Sequence, residues 1–154
     1  MSESEALEEF WEGLALLRGG KARDALLHLH RSLRLDAGNA FYLSYLGLAI
    51  GTADGNWDRA EDLCQNALSM DWQQPDLYLN MAEVYRRTGK KDDAVWILKA
   101  GLQMTGHDGS LREALNRLGV RQPRVLTFLD RRHYLNRNLG KLRHFLLAAR
   151  RQMV

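Results

Sequence analysis

Along residues 75–108, Tyr78, Met81, Ala82 and Tyr85 fall at the steps of one helical face, and Ala94 and Leu98 resume that pattern after a break. The break reads RRTGKKDD. Gly89 is placed to leave one helix, and Asp92 and Asp93 suit the first turn of the next. The same reading along the chain predicts helices at about 4–17, 21–35, 39–52, 57–70, 75–88, 91–104 and 110–118. RGGK, DAGN, GTADGN and TGHDGS are the turns between them. Ser4 or Ser2 is expected to cap the first helix, with glutamates in its opening turns.

The helix pairs repeat. Ala25, Ala60 and Ala94 are 35 and 34 residues apart, and Gly13, Gly47 and Ala82 keep 34 and 35. Leu33, Leu68 and Leu102 recur late in the second helix of each pair. The second copy runs Leu43, Leu46, Gly47, Ile50, then Ala60 and Cys64; the third runs Tyr78, Met81, Ala82, Tyr85, then Ala94 and Leu98. In the first copy Glu9 and Glu12 stand at apolar places, while Gly13, Leu16, Ala25 and Leu29 fit. The small residues let neighbouring helices approach closely, so a large side chain there overpacks the junction.

Such a period with a large-x2-large-small-x2-large run, then Ala-x3-large, resembles the tetratricopeptide repeat. The prolines that often close such repeats are missing; Ala37, Trp72 and Gly106 lie near those places. The resemblance covers residues 6–108, as repeats at about 6–39, 40–74 and 75–108. It implies an all-α, right-handed α-solenoid whose first helices line a concave groove for an extended or helical peptide. Carried over, the inward positions are Phe10, Leu14 and Leu17; Phe41, Ser44, Leu48 and Thr52; and Asp76, Leu79, Asn80, Glu83 and Arg86. The family's clamp for a C-terminal carboxylate needs Lys, Asn and Arg at set inward sites. Those sites here are Phe10, Leu14, Tyr45, Asp76 and Asn80, so recognition of chaperone tails by that clamp is not expected.

The implied groove is apolar at its N-terminal end, and such a strip needs an occupant. A partner peptide or amphipathic helix, a second copy in a symmetric dimer, or the chain's own segment 124–134 with Phe128 and Leu129 would each serve. Alternatively, these residues are inter-helix core. Phe41 and Leu48 are the pair expected to face the groove.

Composition narrows the class. The chain has 154 residues, 45% hydrophobic and 27% charged, which suits one soluble globular domain. It lacks a run of 18 apolar residues, so no membrane span is expected. Its acidic start, MSESEALEEFWEG, is unlike a secretion signal, and its single cysteine cannot form an internal disulfide; the expected compartment is the cytoplasm. Charge is segregated. Residues 121–154 hold nine Lys or Arg against Asp130 alone, +8, whereas the remainder holds 13 basic and 18 acidic residues, −5.

Residues 119–154 form a second region after the array of 1–118. Pro123, with Val125, Leu126, Phe128 and Leu129, suggests an extended segment. Leu135, Leu139, Leu142, Leu146 and Ala149 then give a final helix at about 131–151, suited to cap a solenoid. Arg124, Arg131, Arg132, Arg137 and Lys141 make a candidate basic patch for phosphates or anions, or simply solvate the cap. No nucleic-acid motif accompanies them, so nucleic acid is not the leading partner.

No catalytic, cofactor or metal constellation emerges. His28 and His30 are two apart on one helix and point away from each other, and His133 and His144 lie eleven residues apart. Cys64 takes a buried apolar place. The expectation is a non-catalytic protein–protein interaction module, a scaffold, adaptor or chaperone holding a protein or peptide in the groove. The alternative is a nucleic-acid- or anion-binding accessory protein using its basic end.

Overall fold

The computed structural model describes residues 2–119, which form seven helices. They are α1 (Ser2–Arg18), α2 (Ala22–Leu35), α3 (Ala40–Asp54), α4 (Trp57–Met70), α5 (Pro75–Arg87), α6 (Lys91–Met104) and α7 (Gly109–Arg117). All lie within two residues of the predicted bounds. The expected extended segment 124–134, the capping helix, and Arg124, Arg131, Arg132, Arg137 and Lys141 lie outside the described residues.

The turns follow local chemistry. Asn39 Oδ1 accepts from the Phe41 and Tyr42 amides, and Asn56 Oδ1 accepts from Arg59 N, each satisfying donors that a helix start leaves free. Pro75 opens α5, where its missing N–H costs nothing. Gly89 takes φ +74° between α5 and α6, the left-handed region that a side chain disfavours.

Helices pack as α1 on α2, α3 on α4 and α5 on α6, and each pair packs on the next. First helices also meet across pairs, α1 with α3, α3 with α5, and α5 with α7. This is an all-helical repeat solenoid. The small residues permit it: a Cβ on Gly13 would lie 2.8 Å from Leu29 Cγ, and one on Gly47 3.1 Å from the Ala60 carbonyl. Ala25, Ala60 and Ala94 are fully buried at the matching points of the second helices.

The core has two parts. Phe10, Leu14, Ala25, Leu29, Tyr42 and Tyr45 belong to the N-terminal one, and Leu68, Tyr78, Met81, Ile97, Leu98 and Leu111 to the other. Phe41 packs against both. An ion pair between Lys90 Nζ and Glu61 (2.6 Å) ties the α5–α6 turn back to α4.

Candidate partner-binding groove

Aligning the pairs on Gly13, Gly47 and Ala82 puts Leu7, Trp11, Leu14 and Arg18 of α1 level with Phe41, Tyr45, Leu48 and Thr52 of α3. The matching row on α5 is Asp76, Asn80, Glu83 and Arg87. The lower two levels of this ladder converge. Leu14, Leu17 and Arg18, Tyr45, Leu48 and Thr52, and Glu83 and Arg87 line a cavity of about 260 Å³ between the three first helices. That is slightly below the roughly 300–1,000 Å³ typical of small-molecule sites, so it suits an anchoring side chain better than a free ligand.

Its apolar lining comes from Leu14, Leu17 and Leu48 of α1 and α3, and its charged lining from Glu83 and Arg87 of α5 with Arg18 of α1. Arg86 grips both oxygens of Glu83 at 2.7 Å, and Arg87 Nε donates to one of them at 2.8 Å. Desolvation pushes the Glu83 carboxyl upward, but these bonds outweigh it and hold its pKa below the ordinary glutamate value. Opposite, the Tyr45 hydroxyl donates to Asp76 Oδ1 at 3.3 Å. Burial, then the Asp76 charge, pushes that phenol up to about 12 against a partial offset from Arg18, so it stays a neutral donor.

The structure sorts the sequence-predicted groove residues. Leu14, Leu17, Leu48 and Glu83 line the cavity. Phe10, Ser44 and Asn80 do not face an open groove but are buried between helices. Phe10 is enclosed by rings, stacking on Tyr42 (4.8 Å) and meeting Phe41 and Tyr45 at 5.1 and 5.5 Å. Ser44 Oγ accepts from Asn80 Nδ2 at 3.0 Å, so two polar side chains satisfy each other between α3 and α5. Phe41 and Leu79 are half-buried and packed on core rather than among the cavity-lining residues. Arg86 is exposed and acts through Glu83, while Thr52 and Arg87 take lining places.

Two further cavity-lining residues, Arg18 and Arg87, are absent from the sequence-predicted set and lie next to Leu17 and Arg86 in the chain; Tyr45, an inward site by sequence, also lines the cavity. Leu7 and Trp11 are 47% and 54% exposed. Their counterpart Phe41, and Tyr45, contact Phe10 of the preceding first helix, whereas Trp11 meets the Phe10 ring of its own helix at 5.4 Å.

A larger hollow of about 510 Å³ lies at the inter-repeat turns, lined by Gly38, Asn39, Ala40, Phe41, Met70, Asp71 and Gln74. Its walls are mainly turn residues, whereas the smaller cavity joins three first helices. Cys64 is buried against Ser44, and burial raises its thiol to about 12, which makes it a packed group and not a nucleophile. No helix among the described residues is long and apolar enough to cross a membrane.

Residues 52–118 match the model of the tetratricopeptide repeat family. Together with the array of helix pairs, this gives the described residues a tetratricopeptide-repeat fold. Solved structures extend the likeness over more of the chain. The Sgt2 tetratricopeptide domain from Aspergillus fumigatus superposes with a TM-score of 0.63 at 15% identity, covering 86% of this chain and 93% of that one. The second such domain of human RPAP3, in complex with the HSP70 peptide SGPTIEEVD, gives 0.60 at 17% identity over 79% of this chain and 100% of that one. A T3SS complex from Aeromonas hydrophila gives 0.58 at 23% identity over 74% and 75%. At these identities the likeness is one of fold. No curated protein matches the chain.

Proposed function

We infer that this protein is a non-catalytic interaction module that holds a segment of a partner protein in the groove of α1, α3 and α5. The observation that carries this reading is the cavity where Leu14, Leu17 and Leu48 meet the ionic wall of Glu83 and Arg87. Apolar anchors would give affinity there and the charged wall orientation, the pattern of groove-bound peptides. Similar domains are known in complex with protein peptides, as the RPAP3 structure illustrates. Here leucines occupy the wall, so the preferred segment carries an apolar anchor rather than relying on a terminal carboxylate. Scaffold, adaptor and chaperone roles all use this arrangement. Placement in the cytoplasm belongs to the same reading, supported by the single buried thiol.

The test is affinity capture from the native host with wild type and a Leu17→Glu, Leu48→Glu variant whose helical content and melt are first shown intact. One protein recovered by wild type and lost by the variant upholds the groove. Equal recovery by both overturns it. Charge segregation supports the second reading, an anion-binding basic end. Under that reading, Arg131→Glu with Arg132→Glu abolishes capture and the groove variant does not.

A further inference from the structure

Glu9 and Glu12 of α1 converge on His28 of α2, outside the groove. His28 Nδ1 lies 2.7 Å from Glu9 Oε2 and 3.2 Å from Glu12 Oε2, and one donor atom from each residue falls within 4.8 Å of the others. Arg31 Nη1 reaches the other Glu9 oxygen, Oε1, at 3.4 Å and leaves Oε2 turned to the imidazole.

Two acids near a histidine make an ordinary surface ion pair, so the decisive observation is what these positions hold elsewhere in the same chain. Glu9, Glu12 and His28 correspond to Leu43, Leu46 and Leu63 in the second pair and to Tyr78, Met81 and Ile97 in the third. Leu46, Leu63, Tyr78, Met81 and Ile97 are all buried. At three positions that hold apolar residues in the other two pairs, the first pair holds metal-ligating types.

We propose that Glu9, Glu12 and His28 form a divalent-cation site, suited to Zn2+, that staples α1 to α2 in place of the missing apolar contacts. Two carboxylates and one imidazole are a donor set for Zn2+, with solvent completing the shell. Ligand bonds of about 2.0–2.2 Å place donors roughly 3.4 Å apart in a tetrahedral site. The 2.7 and 3.2 Å spacings from Nδ1 need only a small opening, and rotation of the 67% exposed Glu12 side chain can set its distance to Glu9. Binding requires Nδ1 as the electron-pair donor, so its proton passes to solvent and the ring keeps the one on Nε2. The metal's two positive charges then balance the two carboxylates. Arg31 remains on Glu9 Oε1 as an orienting donor behind the ligand.

The experiment titrates the full chain with ZnCl2 against a chromophoric chelator and follows the thermal midpoint with and without Zn2+. Wild type is expected to bind with saturable stoichiometry and to melt higher with the ion. Glu12→Gln and His28→Gln are each expected to weaken that binding at least tenfold and to remove the shift in melting; His30→Gln should leave both unchanged. Glu12 is exposed, so its variant keeps the test valid if His28→Gln folds poorly. Absence of saturable binding by wild type, or affinity unchanged in both site variants, overturns the proposal and leaves an ion-paired cluster.

Discussion

The third and first helix pairs solve one packing problem in different ways. Between α5 and α6, Tyr78, Met81 and Ile97 are buried, and the Tyr78 hydroxyl is anchored on the Trp72 carbonyl at 2.7 Å. Between α1 and α2 the same places hold Glu9, Glu12 and His28, only partly shielded from water. The first pair still folds on Ala6, Phe10, Ala25 and Leu29, all fully buried. Among the described residues the first pair packs on one neighbouring pair and the second pair on two, so less of the first pair's packing depends on neighbours. Leu7 and Trp11 of α1 are also exposed.

The largest effect should come from a charge placed in each seam. Ala60→Arg, at a fully buried position in the middle of the array, is expected to cost more than about 4 kcal/mol and to abolish the cooperative melt. Ala25→Arg puts the same charge at the array's end. It should instead leave a residual transition with helical signal from α3–α7, because repeat stability is close to a sum of neighbour terms. Circular dichroism melts of both variants decide this; equal loss would show that the two ends do not differ.

A gentler probe adds one methyl group. A Cβ on Gly101 would sit 2.7 Å from Tyr78 Cγ, on a ring held at both ends, so Gly101→Ala is expected to cost roughly 1–3 kcal/mol in urea titration. Gly13→Ala meets Leu29 Cγ at 2.8 Å, and a leucine can change rotamer, so its cost should be smaller. Restoring the apolar seam reverses the sign. Glu9→Leu with His28→Leu, measured without added metal, is expected to stabilise the first pair by about 1 kcal/mol, since apolar groups often match or exceed the partly buried charges they replace.

The smallest effect is electrostatic. The folded Glu83 pKa is depressed, so its contribution is fully present above the unfolded glutamate value and is lost as pH falls through the lower folded one. Glu83, Arg86 and Arg87 are partly exposed, which limits the contribution to about 1 kcal/mol or less. The urea midpoints of wild type and Glu83→Gln should therefore differ at pH 7 and converge toward pH 3.

Helix positions were legible because each helix carries its own period and its own turn chemistry. Gly89, Asn39 and Pro75 act through backbone geometry or bonds to nearby amides, and all three fall where helices start or stop. Leu14, Leu17 and Leu48, expected by sequence to face inward, line the cavity between the first helices. Phe10, Ser44 and Asn80 are buried between helices, because a first helix has two inward directions, one toward the cavity and one toward the next first helix. Only the approach of α1 to α3, and of α3 to α5, separates them. The Glu9–Glu12–His28 cluster left a trace in the two acids that break the repeat pattern. Its third member, His28, carries no such trace, because the convergence lies across two helices.

The sequence alone determined that this chain is a repeated series of helix pairs, because period, small residues and turn signals are local and recur. Tertiary structure decided which leucines line a cavity and which aromatics close the core. It also decided that Glu9 and Glu12 of α1 meet His28 of α2. Those outcomes depend on how helices cross and how closely small residues let them approach, which no single helix encodes.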